Sequence, residues 1–456
     1  MKALDGPVLC YRPAMNAPEL LAPAGTLKNL RYALAYGADA VYAGMPRYSL
    51  RVRNNDFASL ESLAEGIRLT HAAGRRFFLA ANISAHQAKL ATFARDMAPV
   101  VELGPDALIM SDPGLIMQVR ERWPDIPVHL SVQANTVNAA SVRFWQGLGL
   151  GRVILSRELS LGEIESIRQA CPDMELEVMV HGAMCIAYSG RCLLSGYFNH
   201  RDANQGACTN ACRWRYRLYA ADEDAGGDLI PRDDASSAGR HPLAGEPFLL
   251  EEGERPGQLM PVEEDEHGTY ILNSMDLRAV EHVQHLVAIG VDALKIEGRT
   301  KSHFYAARTA QVYRRAIDDA TTGRTFDPAL LDALEGLANR GYTDGFLTRP
   351  RERTAQNYAR GHSESDRRLF VGEIEAYDPA SGLARVDVKN RFSVGDRLEI
   401  MTPAGSREVV LDAITGREGL PVEQAPGAGH RVSIPLPPGD YHMGLILRHV
   451  NTPSSP

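Results

Sequence analysis

Eight short apolar runs, separated by helical patterns, constrain this chain more than any other feature. They read E-L-L-A at 19–22, A-V-Y-A-G at 40–44, F-F-L-A-A-N at 77–82, A-L-I-M-S at 107–111, V-H-L-S-V at 128–132, V-I-L-S at 153–156, E-V-M-V-H at 177–181 and A-L-K-I-E at 293–297. Runs this short and this apolar read as strands buried on both faces. Helical signals lie between them. Thr26 is placed to cap a helix with Leu27, Leu30 and Leu34 on one face and Gly37 at its end. Ser160 and Glu163 form a capping box that opens a helix over 161–170. Leu277, Val280, Val283 and Val287 give a further apolar stripe of helical spacing. Strands alternating with helices make a parallel sheet, and eight of them predict an α/β fold closed into a (β/α)8, TIM-like barrel.

The rhythm breaks once, between the seventh and eighth strands. An insertion at about 182–268 begins with a cysteine-rich loop and continues through a Gly-, Asp- and Pro-rich stretch, acidic near 251–266. Thr269–Leu272 is a ninth strand candidate, assigned to this insertion because no helical pattern precedes it. The barrel therefore spans 16–346. Residues 1–15 carry no periodicity and are expected to form a disordered tail. Residues 347–367, rich in Arg, Ser and Gln, read as a linker. Beyond it, 368–448 alternate apolar and polar residues between Gly, Pro and Asn turns, the pattern of a small antiparallel β-barrel.

Four of the six cysteines, Cys185, Cys192, Cys208 and Cys212, fall inside the loop that follows the seventh strand, whereas Cys10 and Cys171 stand apart. Their spacings miss the C-x2-C pairs of zinc ribbons. Three readings stay open on spacing alone: a metal or cluster site, ordinary buried cysteines, or redox thiols. Six cysteines, four of them clustered, argue against a disulfide framework, and no apolar run reaches membrane-spanning length. No apolar signal segment opens the chain, so the expected location is cytoplasmic. A net charge of −8 argues against a sequence-blind nucleic-acid binder but leaves room for a local basic face, such as Arg47, Arg51 and Arg53 or Arg213 and Arg215.

Working residues of such barrels sit at the C-terminal ends of the strands. Those ends carry Asn82, Ser111, Asp112, Gln133, Asn135, Arg157, Glu158, His181, Glu297 and Arg299. The cysteines begin four residues beyond His181, which puts the cysteine loop over the same face. Bland alternatives stand beside each: a hydrogen-bonded core histidine for His181, a structural ion pair for Glu297 and Arg299, and ordinary packing for Tyr42, Tyr188 and Trp214, which otherwise suit base stacking.

Several motifs are similar to those of the collagenase-like peptidase U-thirty-two family. They are Glu177, Gly182-Ala183-Met184-Cys185, Gly190, Cys192 and Ser195, with P-E-L-L-A-P-A-G-T at 18–26, G-A-D-A-V-Y-A-G at 37–44, S-V-Q-A-N at 131–135 and K-I-E-G-R at 295–299. The runs S-L-R-V-R-N-N at 49–55 and C-T-N-A-C-R-W at 208–214 resemble the branch that hydroxylates tRNA. The resemblance implies prephenate-dependent, oxygen-independent formation of 5-hydroxyuridine at the wobble position. It also implies a [4Fe–4S] cluster on Cys185, Cys192, Cys208 and Cys212, with tRNA and prephenate as partners. By their place at the strand ends His181, Glu297 and Arg299 are candidate catalytic residues, and Arg157, with Arg47 and Arg51 from the loop after the second strand and Arg213 beside the cysteines, are candidate substrate-binding ones. Two carboxylates on prephenate call for at least two cationic donors, and arginine's planar fork suits them best. The alternatives are a peptidase, for which neither G-x-S-x-G nor H-E-x-x-H is present, and a non-catalytic, cluster-bearing subunit of a hydroxylase.

Overall fold

The structure is a computed structural model that describes residues 17–50, 55–184, 188–192, 195, 202–205, 208–209, 275–339, 341–348 and 368–450, with the backbone of five short strands between 221 and 270. Strands β1 (Glu19–Pro23), β2 (Ala40–Gly44), β3 (Arg76–Ala81), β4 (Ala107–Met110), β5 (Val128–Leu130), β6 (Arg152–Ile154), β7 (Glu175–Ala183) and β8 (Ala293–Ile296) pair in sequence order, all parallel. β8 pairs with both β1 and β7, so the sheet closes on itself. The expected eight-stranded barrel is therefore present. Its outer layer contains α1 (Leu27–Ala35), α2 (Leu60–Ala72), α3 (Gln87–Glu102), α4 (Pro113–Arg122), α5 (Ala139–Gly147), α6 (Leu161–Ala170), α7 (Val283–Ile289) and α8 (His303–Thr321). None of the described helices is long and apolar enough to cross a membrane.

Local chemistry explains where these helices begin. The Thr26 hydroxyl accepts from Asn29 N–H, and Ser160 with Glu163 forms the full capping box at the head of α6. Gly37, at φ +105°, turns the chain out of α1. The stripe expected as one helix from Leu277 needs correcting at its start. Leu277 lies in a three-residue strand, Asp276–Arg278, antiparallel to the end of β7, and α7 begins only at Val283. All four side chains of that stripe are buried. The apolar period marked burial, but an extended partner supplied by β7 decided the backbone.

Within the insertion, Gly268–Tyr270 pairs with Leu259–Asp265 rather than with the barrel. Leu347, at the head of the expected linker, is still packed on the barrel, where its carbonyl accepts from Leu161 N–H. The rest of that linker from 349, and the tail at 1–15, lie outside the described residues. After α9 (Ala329–Glu335) and residue 368 comes an antiparallel sheet. It includes β9 (Arg368–Asp378), β10 (Leu383–Val388), β11 (Arg397–Thr402), β12 (Gly405–Val410), β13 (Arg431–Pro435) and β14 (Leu445–His449). β9 lies between β10 and β14, and β11 joins β14 to β12. Val371, Val386, Ile400, Ile434 and Ile446 fill its own core.

The two units meet through a buried face. Met401, Leu445 and Leu447 pack into the barrel's hydrophobic cluster, and Phe304 of α8 stacks on Phe370 at 5.1 Å. Tyr36 Oη lies 3.0 and 2.9 Å from the carbonyls of Met401 and Met443. Arg308 donates to Glu399 at 2.6 Å, both side chains being buried.

Candidate active site at the barrel mouth

A cavity opens at the C-terminal ends of the strands, lined by Tyr42, Asn82, Ser131, Gln133, Arg157, Met179, Lys295, Glu297 and Arg299 among others. Strand periodicity puts alternate residues on one face, so positions 295, 297 and 299 of K-I-E-G-R turn toward the barrel interior together. Lys295 lies 4.3 Å from the Tyr42 ring centroid and donates to Glu177 at 2.9 Å. Arg299 donates to Ser49 Oγ at 2.7 Å and to the Leu50 carbonyl, and its guanidinium stands 5.5 Å from the same tyrosine ring. Arg157 donates to the Ala183 carbonyl at 2.7 Å and stands 3.5 Å from Glu297. Three cationic side chains thus converge on one partly desolvated space, where each charge acts at lower dielectric than in water.

Two glycines make this seating possible. A Cβ on Gly44 would collide with the Arg299 guanidinium and the Ser49 hydroxyl, and one on Gly182, at φ +113°, would lie 2.5 Å from the Glu297 carbonyl.

Below the mouth, Glu177 is shared. It accepts from Lys295 above and from Arg152 at 3.2 Å beneath, and Arg152 also reaches Glu19 at 3.1 Å and Glu175 at 2.7 Å. Burial pushes the Lys295 ammonium pKa down, and Glu177 opposes the shift. His129, buried nearby, is pushed well below its ordinary value by burial and by Arg152, Lys295 and Arg76.

Of the residues singled out from sequence, Glu297, Arg299 and Arg157 come together in the cavity, and His181 does not. Register between β7 and β8 slips by one: Lys295 faces Met179, but Ile296 faces His181. Val180 is the extra residue of a β-bulge, which re-aims the side chain after it. His181 is fully buried among Tyr305, Tyr313 and Tyr342, whose ring centroids stand 5.8, 5.5 and 5.5 Å away. Tyr313 Oη donates to the Val180 carbonyl, which leaves His181 Nδ1 as the donor in their 3.3 Å contact. Burial lowers the imidazole pKa to about 3, so the ring is neutral.

Arg47, expected to bind substrate, points instead to α3, where it pairs with Asp96 at 2.9 Å and bonds Thr92. Ser111 bonds the Asn82 carbonyl, and Asp112 caps α4. Arg51, Arg53, Arg213, Arg215 and Trp214 lie outside the described residues. Lys295 was missed as a site residue, although its place two and four residues before Glu297 and Arg299 was the available signal.

The described parts of the cysteine loop lie over this mouth. Asn135 Nδ2 donates to the Ser189 carbonyl at 2.5 Å, and Gly190 sits against the Gln133 backbone. Ser84 N–H, after β3, donates to the Asn204 carbonyl, and Asn204 in turn donates to the Cys192 carbonyl at 2.9 Å. Ser195 and Thr209 bond each other at 2.7 Å, which ties the two arms of the loop together. Cys192 and Cys208 are partly buried in this loop, whereas Cys185 and Cys212 lie outside the described residues. Cys171 is buried apart, at the end of α6.

Comparison with known proteins agrees with this architecture. The chain is 58% identical over 443 residues to tRNA hydroxylation protein P of Escherichia coli (strain K12), covering 95% of this chain and 97% of that one. It is 54% identical to the protein of the same name from Haemophilus influenzae, covering 95% and 97%. It is 29% identical to the 23S rRNA 5-hydroxycytidine C2501 synthase of E. coli, covering 93% of this chain and 57% of that one. Residues 25–357 match peptidase family U32, and 366–448 match the C-terminal domain of that family. With its closed barrel, cationic mouth and overlying cysteine loop, the chain belongs to peptidase family U32.

Proposed function

We propose that this protein is a tRNA-modifying enzyme of the cytoplasm that hydroxylates C5 of the wobble uridine, with prephenate as co-substrate and a [4Fe–4S] cluster near the barrel mouth. Near-full-length similarity to tRNA hydroxylation proteins supports the tRNA part of this reading. Its co-substrate part rests on one observation, the convergence of Arg299, Arg157 and Lys295 on the cavity. A dicarboxylate entering there meets two planar guanidinium forks and one ammonium. Arginine binds a carboxylate through two parallel hydrogen bonds and fixes its orientation, whereas Lys295 acts as a point charge. Glu297, beside Arg157, is suited to hold or pass a proton at the edge of the same space.

The donor set fits the cluster. Cys192 and Cys208 lie on the described segments of the loop over the mouth, and with Cys185 and Cys212 they offer the four thiolates such a cluster takes. When bound, the cluster would supply one-electron redox chemistry or a Lewis-acidic iron close to the cavity. The test is complementation of a deletion strain, with nucleoside mass spectrometry of bulk tRNA. Wild type should restore 5-hydroxyuridine derivatives; Cys192→Ala and Arg299→Ala should not. Full restoration by both variants overturns the cluster-and-carboxylate reading, and failure of wild type to restore the modification overturns the tRNA reading.

A further inference from the structure

The turn that carries the second cysteine presents two side chains for which the described residues give no packing role. Tyr188 is 56% exposed, and Arg191 beside it is exposed and bonds only the Gly190 carbonyl among described residues. An aromatic ring left in water costs free energy unless something covers it. The turn holding it is nevertheless fixed. Arg191 N–H donates to the Tyr188 carbonyl at 3.1 Å, and Gly190 adopts φ +72°. Ser189 is buried and anchored by Asn135, and Gly190 lies so close to Gln133 that a Cβ would come within 2.7 Å of the Gln133 carbonyl. A rigid turn with an exposed ring is a platform, since little entropy is lost when a partner stacks on it.

A second observation concerns Gln133, against which Gly190 packs. Gln133 lines the cavity, and its Oε1 is buried with no hydrogen-bond partner among the described residues. A buried acceptor left unmade costs about 1–3 kcal/mol, which a ligand's N–H donor would recover. A nucleobase offers what the two features lack, a π-face for the ring and an N–H on its edge. Single-stranded RNA is recognised in this way, by stacking on aromatics and hydrogen bonding to base edges, with arginine on the flanking phosphate.

We infer that Tyr188 stacks a nucleobase of the RNA substrate at the entrance to the cavity, that Gln133 Oε1 accepts from that base's N–H edge, and that Arg191 contacts the adjoining phosphate. This rests on the tRNA reading above but names the residues that would receive the base. The experiment is fluorescence anisotropy of a labelled anticodon stem-loop with the intact, anaerobically prepared protein, alongside steady-state modification of the same RNA. Tyr188→Phe should bind like wild type. Tyr188→Leu, which keeps apolar bulk but not the π-face, should weaken binding about tenfold or more and raise KM more than it lowers kcat. Gln133→Ala should weaken binding further at constant iron content. Arg191→Ala should reduce the slope of log K against log salt by about 0.7, the loss of one phosphate contact on single-stranded RNA. Equal binding by Tyr188→Leu and wild type overturns the inference. Wild-type protein that neither binds nor modifies the stem-loop instead overturns the tRNA reading on which it rests.

Discussion

His181 is the residue whose position departs most from its sequence context, and it has a measurable signature. Its pKa is about 3 in the fold, against about 6.5 when unfolded. Between those values the unfolded chain binds a proton that the folded chain refuses. Stability present above about pH 6.5 is therefore lost as pH falls, at up to about 1.4 kcal/mol per pH unit for this group. His129 has the same sign. Urea unfolding at pH 7 and pH 5 should show the drop, and His181→Phe should make it shallower. An unchanged pH dependence in the variant would place the histidine in water. Glu177 invites a second measurement. It answers both Lys295 and Arg152, so Glu177→Ala leaves two buried cations short of a partner. Breaking a buried pair in this way costs about 3–5 kcal/mol, which chemical denaturation would read directly; a loss under 1 kcal/mol would mean that water already reaches the pair.

At the scale of elements, the ends of the strands decide which side chains meet. Gly44 closes β2 where the Arg299 guanidinium lies across it. Gly44→Ala should push Arg299 off its seat and reduce modification about as far as Arg299→Ala does, with the far-ultraviolet spectrum unchanged. Full activity in that variant would show that the guanidinium has another place to rest. The strands themselves were legible because a barrel strand buried on both faces is apolar along its whole length, and Ala293–Ile296 reads so despite Lys295. The same pleat made Glu297 and Arg299 legible as neighbours. The bulge at Val180 was not, because an extra residue in a ladder leaves no mark on composition and shows only against its partner strand. Arg47 misled for a similar reason. Its loop position was right, but Asp96 and Thr92, some 50 residues on, set its direction.

Across the whole molecule, the C-terminal sheet is docked on the barrel rather than strung after it. Composition marked the two textures but could not show that Met401, Leu445 and Leu447 complete the barrel's core, since those contacts join residues hundreds of positions apart. A chain stopped after 348 should therefore bind a hydrophobic dye and melt well below the intact protein, which should unfold with its two units coupled. Identical melting of the shortened chain would mean that the interface carries no stability. The insertion has a further consequence, one of timing. β1 and β7 both wait for β8, which the ribosome makes more than a hundred residues after β7 ends. At roughly 5–20 residues per second that is on the order of 5–20 s, during which two bare strand edges stand open to any passing chain. A nascent protein of this design depends on its own speed of synthesis, or on a chaperone, to reach the moment when the ring can shut.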